Sequence, residues 1–191
     1  AVGRHVTHLA PGDRVFGDLS GETWGGFAEY VCAPTNALCI MPKCMSYEHA
    51  AALPQASLLA LQGLLSKDKL KPGQTVLVNG GGGGAGSYAL QLAKYFGAYV
   101  TGVDCESKLN TMRLMGADEV IDYSQQDFTK KGQQYDLILD IAAYHSIRDY
   151  KRALKPLGHY IMVGGSSSLA NRLMLFGWLI STRSDKNFSI L

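Results

Sequence analysis

The stretch that decides the fold reads Val76-Leu77-Val78-Asn79-Gly80-Gly81-Gly82-Gly83-Gly84-Ala85-Gly86, and an amphipathic segment follows it. The β-branched and apolar residues predict a strand, and the spacing of the next segment predicts a helix over 85–96. Gly81, Gly83 and Gly86 fit the pattern G-x-G-x-x-G between these two elements, and that context gives the pattern its meaning. The sequence therefore predicts a strand–loop–helix unit that binds a dinucleotide.

The glycines of this loop have separate physical roles in phosphate binding. One allows a tight turn, the next lets the backbone approach a pyrophosphate, and the last lets the helix pack closely on the strand. The start of the helix then offers free N–H groups and the positive end of the helix dipole to the phosphates. A glycine-rich loop without a ligand is the alternative interpretation. The predicted cofactor-binding residues of this segment are Asn79, Gly81, Gly82, Gly83, Gly84, Ala85 and Gly86.

An acidic residue, Asp104, ends the next predicted strand, 99–103. It stands about twenty residues beyond the glycines, where a carboxylate accepts hydrogen bonds from the adenosine ribose. Its alternative role is to cap the helix that begins near Ser107. Lys108 follows four residues later and can meet a 2′-phosphate as a point charge. Because Asp104 repels such a phosphate and Lys108 attracts it, we expect use of both NADH and NADPH, with a lean toward NADH.

Predicted strands recur in the second part of the chain at intervals of about twenty residues, with helical patterns between them. This alternation predicts an α/β fold, a doubly wound parallel sheet of the Rossmann type covered on both faces. The strands are expected at 75–79, 99–103, 119–122, 136–141 and 159–163, and the helices at 85–96, 107–115 and 146–154.

The first part of the chain, residues 1 to about 45, is turn-rich and strand-like. Its β-propensity runs are 15–17 and 27–31, each bounded by glycine or proline. From Ser46 the pattern changes to a short capped helix, and a second helical pattern follows. We therefore place a domain boundary between residues 53 and 54.

Composition excludes several classes of function. Hydrophobic residues make up 47% of the 191 residues, and the net charge is only +2, so nothing points to nucleic acid or an anionic membrane surface. The longest apolar run, 173–180, is too short to span a bilayer. The four cysteines, which lack C-x-x-C spacing, are interpreted as reduced thiols of a cytoplasmic protein: Cys32, Cys39, Cys44 and Cys105.

Several segments together resemble the medium-chain dehydrogenases/reductases, in the zinc-free branch that is similar to quinone oxidoreductases. The resemblance covers essentially all 191 residues. It implies that residues 1–53 are part of a GroES-like, β-rich catalytic domain and that residues 54–191 are the Rossmann domain. It also implies that the chain is a fragment at both ends. The segments that carry it, besides the glycine loop, are 11–17, 26–31, 50–55, 116–123, 135–140 and 152–158.

Two departures from the zinc-bearing relatives predict that no metal is bound. Those relatives carry a four-cysteine lobe between the segments that match Asp13-Arg14-Val15 and Gly26-Phe27-Ala28, where this chain has no cysteine. They also place a zinc-binding cysteine at the position of Gln55, and glutamine is a poor zinc ligand. His5, His8 and His49 are interpreted as surface or packing residues.

The resemblance also bears on the two ends of the cofactor. Lys108 and Tyr123 match positions that contact the adenosine ribose or its phosphate in relatives; the alternative for Tyr123 is an aromatic residue packed on the sheet edge. Leu59 stands where the family often has a threonine near the nicotinamide ribose, so that role is not carried over. No catalytic residue is assigned, because several substrate contacts of the family come from a segment before residue 1.

The function predicted from these features is hydride transfer between NAD(P)H and a quinone, an activated alkene or a carbonyl. The expected partners are a small-molecule substrate and a second copy of the chain, because the apolar stretch 173–180 and the strand-like end 187–191 match the dimer region of relatives. One alternative is a methyltransferase that binds S-adenosylmethionine at a similar glycine loop. Another is a non-catalytic relative that binds nucleotides.

Overall fold

The computed structural model describes residues 1–21, 24–66, 70–182 and 185–191; the side chains of residues 172, 176–180 and 182 are not described. Most of the predicted apolar stretch 173–180 therefore lies outside the described side chains. The chain divides into two compact units, Ala1–Ala56 and Ser57–Leu191. The boundary lies three residues after the position expected from the sequence. The assignment of the first unit to a GroES-like domain remains a prediction.

The first unit contains a two-stranded antiparallel sheet and the start of the helical part. Strand β1 (Val15–Gly17) pairs with β2 (Leu38–Ile40), and helix α1 (Tyr47–Ala52) follows. The hydroxyl of Ser46 accepts a hydrogen bond from the His49 amide at 3.3 Å, so the predicted helix cap is confirmed. Helix α2 (Pro54–Leu65) confirms the second helical pattern.

The prediction of a strand at residues 27–31 is wrong. These residues form bends and irregular backbone, and the side chains of Phe27 and Tyr30 are almost fully exposed. A strand needs a neighbour to bind its backbone groups, and in the described part of the chain β1 pairs with β2 alone. High β-propensity without such a neighbour does not produce a strand.

The second unit is built on a six-stranded sheet in which all paired strands are parallel. The strand order is β5-β4-β3-β6-β7-β8. This is the order of the dinucleotide-binding Rossmann fold, so the predicted fold class is confirmed. The strands are β3 (Thr75–Asn79), β4 (Tyr99–Asp104), β5 (Glu119–Asp122), β6 (Tyr135–Asp140), β7 (Leu154–Met162) and β8 (Asn187–Ile190).

Three of the helices that follow these strands confirm the helical patterns predicted at 85–96, 107–115 and 146–154, whereas the helix over residues 167–182 was not predicted. A 3-10 turn (Glu106–Lys108) precedes α4, and Ser146 caps α5 with a reciprocal bond to Asp149. The helices are α3 (Gly84–Tyr95), α4 (Leu109–Leu114), α5 (Ile147–Ala153) and α6 (Ser167–Thr182).

Strand β7 begins five residues earlier than expected. Leu154 already pairs with Tyr135, and the register then shifts before Leu137 pairs with His159. The backbones approach closely here, because a Cβ atom on Gly158 would lie 3.0 Å from the Tyr135 carbonyl oxygen. Residues 155–158, which lie between the predicted helix 146–154 and the predicted strand 159–163, therefore form an irregular start of the strand.

Apolar side chains cover both faces of the sheet, as a parallel sheet requires. Alternate residues of β3 serve opposite sides: Val76 and Val78 pack with α3, whereas Leu77 packs on the other side with α5 and α6. The two clusters hold the strands rigidly, so the residues just beyond the carboxyl ends of the strands have fixed positions.

We expect the carboxylate of Asp136 to stabilise this unit in a pH-dependent manner. Its Oδ2 accepts bonds from the Thr75 amide at 2.7 Å and from Lys155 Nζ at 2.8 Å. Burial would raise its pKa, but these bonds outweigh burial and lower the pKa below the ordinary value. The stabilisation is thus complete above the pKa of the unfolded chain and is lost as pH falls through the folded pKa.

Asp136→Asn should lower the free energy of unfolding by about 1–2 kcal/mol at pH 7 and by clearly less at pH 3. Urea unfolding at both values measures this, with the exposed Glu106→Gln as control. An equal loss for Asp136→Asn at both values would contradict the role of the ionised carboxylate.

Candidate functional site

A cleft of about 500 Å³ lies at the carboxyl ends of four strands of the second unit. Each of β3, β4, β5 and β6 contributes residues at or just after its last position. The lining residues are Asn79, Gly80, Gly83, Val103, Asp104, Lys108, Tyr123, Ile141, Ala142 and Tyr144. Another depression, of about 640 Å³, lies within the first unit, but its described lining is mainly small and apolar, with Asp13 as the ionisable side chain.

The cleft lies where the strand order reverses. Strand β3 has β4 on one side and β6 on the other, and the chain moves outward in both directions from this pair. Asn79 and Asp140 are register partners at the ends of the two central strands. In open parallel sheets such a switch point is where ligands bind, because the connections that follow the two strands diverge there.

The glycine loop folds tightly back onto strand β4. The amides of Gly80 and Gly81 both donate to the carbonyl oxygen of Val103, at 2.9 and 3.1 Å. Gly80 has a φ of +83°, which favours glycine, and a Cβ atom there would also approach Ala142. A Cβ atom on Gly86 would overlap the Gly80 carbonyl group, so close packing of α3 on the loop requires glycine there.

Gly83 is different, because few atoms surround the position that its side chain would take. A Cβ atom there would meet a single group within 4 Å, the Gly80 carbonyl oxygen at 3.3 Å. Gly83 lines the cleft and stands at the N-cap of α3, where no side chain caps the helix. The first N–H groups of a helix lack intrahelical partners, and its dipole attracts anions. This cradle therefore fits a pyrophosphate.

Asp104 ends β4 as predicted, but its carboxylate is already engaged. Its Oδ2 accepts from the Gly82 amide at 3.0 Å, and its Oδ1 accepts from the Cys105 amide at 2.8 Å. Lys108 Nζ lies 3.3 Å from Oδ1. Burial would raise the pKa of Asp104, but the two amides and Lys108 hold it below the ordinary value, so the group is ionised at neutral pH.

These contacts give Asp104 a role that sequence reasoning missed, since it ties the glycine loop to the end of β4. Asp104 does not take the alternative role of a helix cap, because the following 3-10 turn has Cys105 at its N-cap, without a side-chain bond. A role at the ribose remains a prediction. The carboxylate retains acceptor capacity, because two oxygens offer about four lone-pair positions.

Lys108 and Tyr123 lie in the same cleft as Asp104. The side chain of Lys108 is 45% exposed, and Tyr123 is half-exposed. The Tyr123 amide donates to the Asp104 carbonyl oxygen at 3.2 Å, which places the tyrosine directly beyond the end of β4. The lining of the cleft thus brings together five residues of the predicted set, Asn79, Gly83, Asp104, Lys108 and Tyr123. It does not include the other predicted residues, Gly81, Gly82, Gly84, Ala85 and Gly86.

The most buried polar group beside the cleft is Asp140, which sequence reasoning missed. Its carboxylate is fully buried and accepts from Asn79 Nδ2 at 2.8 Å and from the Tyr160 hydroxyl at 2.9 Å. Burial raises its pKa, although bonds from Tyr150, Asn79 and Tyr160 oppose the rise. An aspartate at the end of the apolar run Leu137-Ile138-Leu139 was the available signal, since Asp104 ends β4 in the same way.

This network also changes the interpretation of Asn79. Its side-chain amide donates one hydrogen bond to the Asp140 carboxylate and another, of 3.1 Å, to the Ala142 carbonyl oxygen. Asn79 therefore fixes the two sides of the switch point to each other. A contact between Asn79 and the cofactor remains a prediction.

The described residues hold no group of three or more His, Cys, Asp or Glu side chains that is suited to a metal ion. His5, His8, His49 and Gln55 are exposed. No disulfide joins the four cysteines, all of which belong to the described part of the chain. Among the described helices, none combines the length and apolar character needed to cross a membrane.

Comparison with known proteins shows the family. The profile described as zinc-binding dehydrogenase matches residues 84–184. Over 147 residues the chain is 37% identical to 2-methylene-furan-3-one reductase of Solanum lycopersicum, and over 147 residues it is 33% identical to the chloroplastic NADPH-dependent alkenal/one oxidoreductase of Arabidopsis thaliana. Each alignment covers 73% of this chain and 38% of the relative.

Solved structures agree with these relatives. The quinone oxidoreductase of Coxiella burnetii superimposes with a TM-score of 0.85 at 28% identity, over 100% of this chain and 58% of that protein. The chain therefore belongs to the medium-chain dehydrogenases/reductases, with similarity to quinone oxidoreductases. It spans well under two thirds of the length of each of these proteins.

The second and third glycines of the motif should respond differently to the same substitution. Gly83→Ser places its side chain in the open cleft and supplies a helix cap, so the free energy of unfolding should change by less than about 1 kcal/mol. Gly86→Ser forces the helix away from the Gly80 carbonyl group and should cost about 3 kcal/mol or more. Urea unfolding of both variants decides the matter, and equal losses would contradict the described packing of the loop.

Proposed function

We propose that the chain is the dinucleotide-binding part of an NAD(P)H-dependent oxidoreductase that reduces a quinone, an enone or another carbonyl compound without zinc. The observation that carries this proposal is the open cradle at Gly83, beside an uncapped helix start, at the switch point of a parallel sheet. Family membership supports it. The reduced cofactor supplies a hydride when it is bound.

The protein's contribution to this reaction is binding and orientation. The backbone of 80–86 and the start of α3 would hold the pyrophosphate, because amides and the helix dipole favour negative charge there. Lys108 and Tyr123 would hold the adenosine ribose or its 2′-phosphate on the β4–β5 side of the cleft. On the other side of β3, the segment after β6 carries Ile141, Ala142 and Tyr144 as the opposite wall.

The substrate class rests on the relatives. One is named for a 2-methylene-furan-3-one and another for alkenals and alkenones, and the superimposed structure is a quinone oxidoreductase. In each of these acceptors a carbonyl group makes a carbon electrophilic, either the carbonyl carbon itself or a carbon conjugated with it. Reduction adds a hydride and then a proton. The group that donates this proton is not assigned to a residue of this chain.

The alternatives receive less support. A methyltransferase does not require the close helix packing that Gly86 provides for a pyrophosphate, and the family match is to dehydrogenases. A non-catalytic relative would bind the nucleotide without reducing an acceptor, so a turnover assay with NADPH and an enone separates it from the enzyme.

Three further parts of the proposal come from the sequence. Zinc independence is supported by Gln55 and by the lack of a ligand cluster among the described residues. Association into a homodimer is supported by β8, which stands at the edge of the sheet, and by the exposed Met174 and Leu175 of α6. A cytoplasmic location is supported by cysteines that form no disulfide.

Gly83→Val should abolish or strongly weaken NADPH and NADH binding while the protein stays folded. The valine side chain would occupy the space that the pyrophosphate needs, since that position opens into the cleft. Titration followed by cofactor fluorescence gives the dissociation constants. Gly26→Val serves as the matched control, because its Cβ has no neighbour within 4 Å and it lies in the first unit. Unchanged affinity in Gly83→Val would remove the proposal.

The ion pair of Asp104 and Lys108 should set the choice between NADPH and NADH. A carboxylate about 4 Å from a phosphate is repelled by roughly 1 kcal/mol in a water-like medium. Asp104→Asn keeps an acceptor for the Gly82 amide but removes the charge, and it should raise the preference for NADPH about fivefold. Lys108→Ala should shift the preference toward NADH.

The measurement is the ratio of the two dissociation constants at fixed salt, because salt screens exposed charges. Asp118→Asn is the matched control: Asp118 also binds a lysine, Lys94, and a backbone amide, that of Val100, but it stands before β5, at the other end of the strands. A ratio that is unchanged in Asp104→Asn would show that the carboxylate does not act at the ribose or its phosphate.

A further inference from the structure

The segment that follows β6 forms one wall of the cleft and is held in place by two sets of hydrogen bonds. Residues 141–143 are fixed by backbone bonds: Ile141 donates to the Asn79 carbonyl at 3.0 Å, and Ala143 forms a parallel bridge with Gly165. Beyond Ala143, the amides of Tyr144 and His145 both donate to one side-chain atom, the hydroxyl oxygen of Tyr150, at 3.2 Å each. Two consecutive amides of the cleft wall thus bind one phenol group.

The hydroxyl of Tyr150 is oriented by this arrangement. Since its oxygen accepts two backbone N–H groups, its own proton is left for a buried acceptor, and the hydroxyl interacts with both the Asp140 carboxylate and the Tyr160 hydroxyl. Tyr150 and Asp140 are fully buried, so neither group exchanges these partners for water. A chain of interactions therefore runs from Asn79 at the switch point, through Asp140 and Tyr150, to the backbone of Tyr144.

The rings of the same residues support Tyr144 from behind. The ring of His145 lies 4.1 Å from that of Tyr144, and its edge meets the ring of Tyr150 at 5.8 Å and 87°. Tyr144 is half-exposed and lines the cleft on the side opposite Lys108 and Tyr123, the two residues proposed above to hold the adenosine ribose. Its position depends on a short segment whose amides are bound by Tyr150.

We propose that Tyr150 is a positioning residue of the dinucleotide cleft: its hydroxyl couples the buried Asp140 carboxylate to the segment that presents Tyr144 to the cofactor. This inference rests on the proposed function, because it assigns a role in binding the dinucleotide. Tyr150 acts through Tyr144 and does not itself contact the cofactor.

The chain offers a matched control in Tyr160. Its hydroxyl also donates to Asp140, at 2.9 Å, and its ring is also fully buried. Tyr150→Phe and Tyr160→Phe therefore each remove one hydroxyl group that interacts with Asp140, and each keeps an aromatic ring. Only the Tyr150 hydroxyl also accepts the amides of Tyr144 and His145.

The experiment compares both variants with the parent by melting temperature, by amide hydrogen exchange without cofactor, and by NADPH and NADH titration. Both variants should lose similar stability. Only Tyr150→Phe should speed exchange at residues 144 and 145 and raise the dissociation constants, by about three- to tenfold. Tyr144→Ala, which leaves Tyr150 in place, should weaken binding at least as much.

The outcomes separate this inference from the proposed function. If the parent binds neither dinucleotide, the proposed function fails and the cleft role of Tyr150 fails with it. If the parent binds but Tyr150→Phe matches Tyr160→Phe in affinity and exchange, only the inference is overturned. Parent-like affinity in Tyr144→Ala would overturn it too.

Discussion

All strands of the central sheet run in one direction, and this constraint determines where chemistry can occur in the second unit. The carboxyl ends of β3, β4, β5 and β6 meet at one edge, so residues far apart in sequence line one cleft. At its centre a buried carboxylate, Asp140, is bound to Asn79 across the switch point. A buried carboxyl group without a cationic partner is tolerated only where hydrogen-bonding groups surround it, and here an amide and two phenols do so.

The glycine loop is held at this edge of the sheet through its own backbone, since its glycines carry no side chains. Asp104 binds the Gly82 amide, Val103 binds the amides of Gly80 and Gly81, and the helix packs against Gly86. The position of Gly83 opens into the cleft. The loop is thus held by these three sets of contacts and stays accessible at Gly83. Such preorganisation favours anion binding at the start of a helix.

Much of this architecture could be predicted from local sequence patterns. The strands predicted at 75–79 and 119–122 have the expected bounds. In the first of them the apolar run was informative because burial on both faces demands continuous apolar residues. The glycine spacing located the loop because the positive φ of Gly80 and the close packing at Gly86 require glycine. Residues 27–31 failed, because propensity does not supply a neighbouring strand.

The rest of the site depended on contacts between distant residues. Asp140 and Asn79 are separated by 61 positions, and Tyr160 reaches Asp140 from a different strand. No local pattern distinguishes Tyr150 or Tyr160 from an ordinary core aromatic residue. The second role of Asp104 was hidden as well, since its partner amide lies in the loop rather than beside it in sequence.

The central claim is that the cleft at the switch point binds a dinucleotide through the glycine loop. Titration of the isotope-labelled chain with NADPH, followed residue by residue through amide chemical shifts, tests it most directly. The account predicts saturable shifts concentrated at residues 80–86, around Lys108 and Tyr123, and at Tyr144. No saturable shifts, or shifts confined to the first unit, would contradict it.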